Sequence, residues 1–322
     1  MLVVDNRWSG QNGIGRYAHE VISRLTVPWT AIEPSGRPSS ATDFLVKDIR
    51  VGGKRPDAMY TPGYNGFLRA VPQTITVLDL IHLESASSAK YKPYYEGFLK
   101  PLIRRNRHVL TISQTSKEHI ENWLDDSRVD VINAGMGSSP EFVVEGDAYS
   151  YAKPYYIYVG NLRSHKNVET LLAAMKLIRD SDLFIVCSDP RGVAALVEQF
   201  NVADRVKVFS GVNDLDLASL YRGARATVQP SLVEGFGLPA LESALCGTPV
   251  VFYESCESVR EICAGGGVAV SDALDVNEWA EAMVSISENA RFDSNLIRAA
   301  NYSWDVVGNA VSTTLSDHRF SV

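Results

Sequence analysis

Cysteine is scarce in this chain. Its four cysteines, Cys187, Cys246, Cys256 and Cys263, are nowhere closer than seven residues apart, so there is no CxxC metal or redox motif. Nothing in that spacing suggests a disulfide framework, and a reduced, cytoplasmic protein is expected. No run approaches the roughly 18 apolar residues of a membrane-spanning helix. The start, Met1 to Arg7, carries charge too early for a secretory signal. The six histidines (His19, His82, His108, His119, His165, His318) are scattered without ligand spacing, and no metal is expected. Positive charge is also lacking. A formal net charge of −7 argues against nucleic acid as a partner. Internal repeats and low-complexity tracts are absent.

The 322 residues suffice for two compact domains, and strands alternate with helices in both halves. In the first half, strands are expected at Leu2–Val4, Ala58–Tyr60, Gln73–Leu78, His108–Ile112 and Val129–Ile132. Helices are expected at Arg16–Leu25, Pro93–Arg105 and Ser116–Leu124. Residues Pro140 to Pro154 are weakly patterned and read as a linker. A second series then begins at Tyr155–Gly160, with strands at Leu183–Cys187, Val206–Phe209, Thr227–Val228, Val250–Phe252 and Ala269–Val270. Its helices are expected at Val168–Ile178, Leu215–Tyr221 and Val276–Ile286. A last helix, over Ala310–Leu315, would be capped by Ser303 or Asp305. The alternation implies an α/β fold with mainly parallel sheets.

Three loops carry residues suited to anion chemistry. The first is Glu234-Gly235-Phe236-Gly237-Leu238-Pro239-Ala240-Leu241-Glu242, which follows a run, Ala224–Ser231, that reads as a buried strand. Pro239 suits the first turn of a helix, whose free N–H groups attract phosphate. The second, Gly160-Asn161-Leu162-Arg163-Ser164-His165-Lys166-Asn167, offers the point charge of Lys166 and the donor fork of Arg163. The third, Trp8 to Gly15, has a GxG element at Gly13 and Gly15 but lacks the third glycine of a dinucleotide fingerprint. Each loop taken alone also fits an ordinary solvated turn. His82 reads as a packed or capping residue. Tyr91, Tyr94, Tyr95 and Phe98, followed by Arg104, Arg105 and Arg107, fit either a half-buried face or a surface for a phosphate-bearing acceptor or an anionic membrane. Asp214 and Asp216 read as a helix start.

The block from Pro230-Ser231 through Glu234-Gly235-Phe236-Gly237, Pro239 and Glu242 to Cys246-Gly247-Thr248-Pro249-Val250 resembles the Glu-x7-Glu signature of the retaining glycosyltransferases of sequence family four. Gly13-Ile14-Gly15-Arg16-Tyr17 and Ser303-Trp304 extend the resemblance over nearly the whole chain. It implies a GT-B fold, two Rossmann-like α/β/α domains facing each other across a cleft. Residues 1–150 would form the acceptor-side domain, 151–304 the nucleotide-sugar domain, and 305–322 a helix crossing back. It further implies that Lys166, Arg163 and the backbone around Gly235, Phe236, Gly237 and Leu238 neutralise the donor diphosphate. Glu242 would bind the ribose, and Glu234 the transferred sugar. The backbone of Gly13 and Gly15 would approach the phosphates, and Asp79 would sit near the sugar. Ser113 would help shape the acceptor side. Two positions depart from the pattern: His165 stands where an arginine usually precedes the lysine, and Leu78 where a histidine usually precedes the aspartate.

The expected activity is transfer of a hexose or deoxyhexose, with mannose from GDP-mannose favoured, to a saccharide or lipid-linked saccharide in polysaccharide or lipopolysaccharide assembly. The donor is a substrate, and no cofactor is implied. Peripheral contact with the inner face of a membrane is expected of such acceptors. The competing readings are a degenerate sugar-nucleotide-binding protein, supported by Leu78 and His165, and a sugar-nucleotide epimerase or phosphorylase. For a phosphorylase, no lysine is marked out to carry pyridoxal phosphate.

Overall fold

The computed structural model describes residues 1–317 apart from 9, 11–12, 39, 41–42, 46–48, 69–70, 85–87, 265, 288 and 300–301. His318, the end of the expected crossing segment and part of the Trp8–Gly15 loop therefore lie outside the described residues. The chain divides into two compact units, Met1–Gly137 with the segment from Tyr302, and Ser138–Asn301. Among the described residues, no helix is long and apolar enough to cross a membrane.

The first unit begins with β1 (Leu2–Asp5), α1 (Gly13–Ile22), β2 (Trp29–Ile32), β3 (Ala58–Thr61) and β4 (Gln73–Ile75). The short α2 (Ile81–Glu84) and α3 (Ser88–Tyr94) follow. A π-helical turn (Tyr95–Leu99) runs into α4 (Lys100–Asn106), and β5 (His108–Thr111), α5 (Gln114–Leu124) and β6 (Asp130–Asn133) complete the series. The strands run parallel in the order β2-β1-β3-β4 and β5-β6. A parallel bridge between Thr76 and Leu110 links the two sets, with Val77 N donating to Leu110 O at 2.9 Å. Val3, Val4, Val109 and Leu110 are buried, as strands covered on both faces require.

The helix expected from Arg16 begins instead at Gly13. Its first turn therefore contains Gly13 and Gly15, neither of which takes a positive φ. Tyr17, Ala18, Val21 and Ile22 form its buried stripe, and Leu25 lies beyond its end. The helix expected from Pro93 extends from Ser88 to Asn106. Pro93 and Pro101 each remove a backbone donor, and between them the ladder widens to a π turn, with Lys100 N donating to Tyr95 O.

The second unit holds β7 (Tyr155–Val159), α6 (Val168–Met175), β8 (Asp182–Val186), α7 (Pro190–Gln199), β9 (Val206–Phe209), α8 (Asp214–Gly223) and β10 (Ala226–Gln229). It continues with α9 (Leu238–Leu245), β11 (Val250–Tyr253), α10 (Glu257–Cys263), β12 (Val268–Val270), α11 (Val276–Ser285) and α12 (Ser294–Ala299). One parallel sheet runs β12-β11-β10-β7-β8-β9, so the strand order reverses between β7 and β10. Its core packs Tyr156, Tyr158, Leu171, Leu172 and Met175 against Trp279 and Met283. The weakly patterned stretch before Tyr155 groups with this unit. Tyr149 N donates to Ser219 O at 2.9 Å and Arg222 Nε to Asp147 O at 2.9 Å.

The C-terminal helix spans Trp304–Ser316, longer than expected, and Ser303 Oγ caps it by accepting from Asp305 N at 3.2 Å. It packs along α1 in the first unit. Arg24 Nε donates to Asp305 Oδ1 at 2.7 Å, and a Cβ added at Gly308 would lie 2.6 Å from Arg24 Cβ.

Candidate active site

The loops that leave β7 and β10 emerge side by side, because those strands are neighbours where the sheet order reverses. Ligands bind at such a switch point in open α/β sheets. The first loop is pinned by Gly160 N donating to Val186 O at 3.0 Å, and the Tyr158 hydroxyl donates to Asn161 O at 2.6 Å. A 3-10 turn, Ser164–Lys166, then presents Lys166. Asn167 closes the turn with φ +52°. Its Nδ2 donates to Ala273 O at 2.7 Å and its Oδ1 accepts from Thr170 Oγ1 at 2.7 Å. The second loop is tied to the first by Leu232 N donating to His165 O at 2.8 Å, and to α10 by Ser258 Oγ donating to Glu234 O at 2.8 Å.

Glu234 is the convergence point. Its Oε1 accepts from Lys166 Nζ at 2.5 Å, Gln229 Nε2 at 2.6 Å and Ser231 Oγ at 2.7 Å. The Lys166 and Glu234 side chains are 13% and 10% exposed. Charge-assisted bonds to one oxygen fix the carboxylate's direction. Among the described residues, Gln229 Oε1 is buried without a hydrogen-bond partner. The same charges reach neighbouring groups. Burial, with the Glu234 charge adding, raises the Tyr158 phenol well above its ordinary value. Burial, then Glu234, pushes the Cys256 thiol up to about 12, with Lys166 opposing.

Past Glu234 the chain turns through Gly235 and Phe236, both buried, into α9. Gly237 takes φ +99°, and a Cβ there would lie 2.9 Å from Val259 Cγ2, so conformation and close packing both demand glycine. Pro239 occupies the first turn of α9. Glu242, in the same helix, is 3% exposed, and its Oε2 accepts from the Tyr221 hydroxyl at 3.2 Å. Arg163 is exposed, and its guanidinium makes no hydrogen bond or ion pair among the described residues. The structure thus pairs Lys166 with Glu234, and Glu242 with Tyr221.

Residues 150–302 match the family model of the glycosyl transferases group 1. The O-antigen chain mannosyltransferase RfbU of Salmonella typhimurium is 28% identical over 257 residues, covering 77% of this chain and 70% of that protein. The O-antigen chain mannosyltransferase B of Escherichia coli is 27% identical over 248 residues, covering 70% of this chain and 64% of that protein, which is under two thirds of its length. WaaG, a glycosyltransferase involved in lipopolysaccharide biosynthesis, shares the fold at a TM-score of 0.66 and 14% identity, covering 98% of this chain and 99% of that one. Sucrose-phosphate synthase of Thermosynechococcus elongatus also has a TM-score of 0.66, at 21% identity over 80% of this chain and 73% of that one. The chain is a GT-B-fold glycosyltransferase related to the family-four mannosyltransferases. As such it uses a nucleotide-sugar donor.

The other expected site residues of this transferase lie in the first unit. Gly13 and Gly15 stand in the opening turn of α1. Asp79 Oδ1 accepts from Ile81 N at 3.1 Å and so caps α2. His82 is packed, its Nδ1 3.1 Å from the Tyr95 hydroxyl and its ring against Tyr64 and Tyr91. Ser113 caps α5, accepting from Ser116 N at 2.9 Å. Arg104 and Arg105 donate to the carbonyls of Leu124 and Leu68, which ties down part of the basic face. Asp214 and Asp216 begin α8 behind the Asn213 cap, and the described residues contain no cluster able to hold a metal. Sequence reasoning overlooked Gln229 and Ser231 as partners of Glu234, and Tyr221 as the partner of Glu242. The polar Gln229 closing a strand that reads as buried is the signal that was available.

Proposed function

We propose that this transferase moves a hexose or deoxyhexose, with retention at the anomeric carbon, to a saccharide or lipid-linked saccharide. Mannose from GDP-mannose is the favoured donor. The observation that carries this reading is Glu234 Oε1, held by Lys166, Gln229 and Ser231 at the sheet's switch point, in a loop leading into the N-terminus of α9. A carboxylate so fixed suits the hydroxyls of the transferred sugar and the positive charge that develops at its anomeric carbon. The acceptor oxygen bonds to that carbon as its bond to the diphosphate breaks. The acceptor's proton passes to the departing phosphate oxygen, giving a glycoside and a nucleoside diphosphate.

Charge builds on the leaving group, so Lys166, Arg163 and the N–H groups of Gly235, Phe236, Gly237 and Leu238 act as its stabilisers. Glu242 takes the ribose hydroxyls. Gly13 and Gly15 bring backbone N–H groups to the phosphates, and Asp79 orients the sugar. Two O-antigen mannosyltransferases among the relatives support the mannose assignment. They also support an acceptor in surface-polysaccharide assembly, with the enzyme cytoplasmic and peripheral at the membrane's inner face.

The test is calorimetric titration with GDP, UDP, ADP and TDP, followed by the matching sugar nucleotides and a transfer assay. GDP is expected to bind in preference to the others. Glu234→Gln is expected to abolish transfer with the fold retained, and undiminished transfer by that variant would sink the assignment. No binding of any nucleotide would favour a degenerate protein.

A further inference from the structure

The first unit carries a second polar network that the donor-side reading does not use. Asp5 ends β1 and is wholly buried. Arg7 folds back on it, donating through Nε and Nη2 at 2.8 and 2.6 Å, and reaches Asp43 through Nη1 and Nη2 at 2.6 and 3.0 Å. Burial works against the Arg7 charge, but the two carboxylates outweigh it and hold the guanidinium protonated. Asn65 Nδ2 donates to both carboxylates, at 3.0 and 3.1 Å. Carboxylates only accept, so this fixes which way the amide points. Asn65 Oδ1 therefore faces Trp8 and accepts from its Nε1 at 2.6 Å. Gly63 packs directly on the indole, since a Cβ there would lie 2.4 Å from Trp8 Cε2. Two carboxylates and a guanidinium are costly to bury. Here they fix the amide that clamps one half-buried tryptophan.

From that indole a ladder of rings runs outward. Centroids are 5.2 Å apart for Trp8–Tyr64, 5.3 Å for Tyr64–His82 and 4.6 Å for His82–Tyr91. All four rings are partly exposed, whereas Tyr95, which bonds His82, is buried. Trp8, Tyr64 and His82 follow β1, β3 and β4, at the carboxyl ends of parallel strands where α/β sheets take ligands. Rigid rings with polar edges match a molecule that has an apolar face and a hydroxyl rim, as a pyranose does.

We infer that Trp8, Tyr64, His82 and Tyr91 form the platform on which a pyranose of the saccharide acceptor stacks, with the Asp5–Arg7–Asp43–Asn65 network holding Trp8 in place. This rests on the glycosyl-transfer reading above and assigns its acceptor side. Trp8 touches the acceptor, and Asn65 is a positioning residue.

The probes are α-linked manno-, gluco- and galacto-trisaccharides titrated into the full chain, read by tryptophan fluorescence and calorimetry. One of them should give a saturable fluorescence change in the wild type that disappears in Trp8→Phe, which still binds. Trp8→Ala should weaken binding at least about tenfold, the cost of losing roughly 55 Å² of apolar contact. Gly63→Ala, which displaces the indole and leaves the polar network intact, should weaken it similarly. Asn65→Leu should also shift the Raman band that reports hydrogen bonding at the indole nitrogen. Nucleoside diphosphate affinity, measured alongside, separates the two claims. A wild type that binds no nucleotide defeats the transfer reading. A wild type that binds nucleotide but gives no fluorescence response to any trisaccharide overturns the platform. So does unchanged trisaccharide binding by Trp8→Ala. An indole response only to phosphatidylcholine–phosphatidylglycerol vesicles would overturn it in favour of a membrane surface.

Discussion

The ion pair between Lys166 and Glu234 invites a double-mutant cycle. Lys166→Met and Glu234→Gln each remove one charge with little change in volume, and the glutamine still offers an oxygen to Gln229 and Ser231. At the 2.5 Å separation, two unit charges attract by about 7 kcal/mol in an effective dielectric of about 20. Desolvation of side chains only 13% and 10% exposed takes back most of that. A net coupling of about 2 kcal/mol is expected, the usual worth of a hydrogen bond between charged groups and above the roughly 0.2–1 kcal/mol of exposed pairs. Urea unfolding of wild type, both single variants and the double variant measures it, provided the slope with denaturant is unchanged. The single variants should also diverge in ligand binding. Lys166→Met removes the proposed phosphate partner and should bind nucleoside diphosphate more weakly. Glu234→Gln releases Lys166 and removes a nearby negative charge, so it should bind the product at least as tightly while losing transfer. A coupling below about 0.5 kcal/mol, within the range of an exposed pair, would refute the energetic reasoning. Equal loss of nucleotide affinity in both variants would reduce Glu234 to an anchor for the loop.

Gly237→Ala must hold alanine at φ +99° and push Val259 aside. The expected destabilisation is about 1–2 kcal/mol, with a further loss of nucleotide affinity by calorimetry. Unchanged affinity would detach the start of α9 from the site. His108 is buried, bonded to Thr74 and Asn106, and burial holds its imidazole below the ordinary value against its bond to the Asn106 carbonyl and the charges of Asp130 and Asp317. The unfolded chain therefore binds the proton more readily. The stability His108 contributes is full above the unfolded value of about 6.5 and is lost as pH falls through the lower folded value. His108→Gln should flatten the fall in unfolding free energy below that pH by up to about 1.4 kcal/mol per pH unit, and an unaltered pH profile would contradict this. The four thiols are all buried, and burial pushes Cys246 and Cys256 up to about 12. A thiol reagent at pH 8 should react with Cys246 and Cys256 roughly a thousandfold more slowly in the folded chain than in the unfolded one. One rapidly reacting thiol would show that a cysteine is accessible.

Much of the local structure around the second unit's candidate site was legible in the sequence because its signals are local. The helix start after Glu234 follows from Gly237 and Pro239, and the strand before it from the β-branched pair Thr227-Val228 ahead of Pro230. The loop holding Lys166 is flanked by a strand and a helix whose periodicities are plain. Signals were weaker where short-range rules conflict. Glycine suggested a loop through Gly15, yet α1 begins at Gly13, because helical φ is as open to glycine as to any residue. Pro93 suggested a helix start, whereas Ser88–Asn106 runs past it by widening to a π turn.

By itself, then, the sequence determined the α/β class, the alternation of strands and helices, and the residue types that the candidate site offers. These depend on side-chain periodicity and turn chemistry within a few residues. Strand order depends on pairings between distant segments, which periodicity does not encode. Only the tertiary structure set β7 beside β10 and so brought Lys166 within 2.5 Å of Glu234, 68 residues away. Only it gathered Asp5, Arg7, Asp43 and Asn65 around one tryptophan. It also laid the C-terminal helix along α1, where the absence of a side chain at Gly308 lets the two backbones approach.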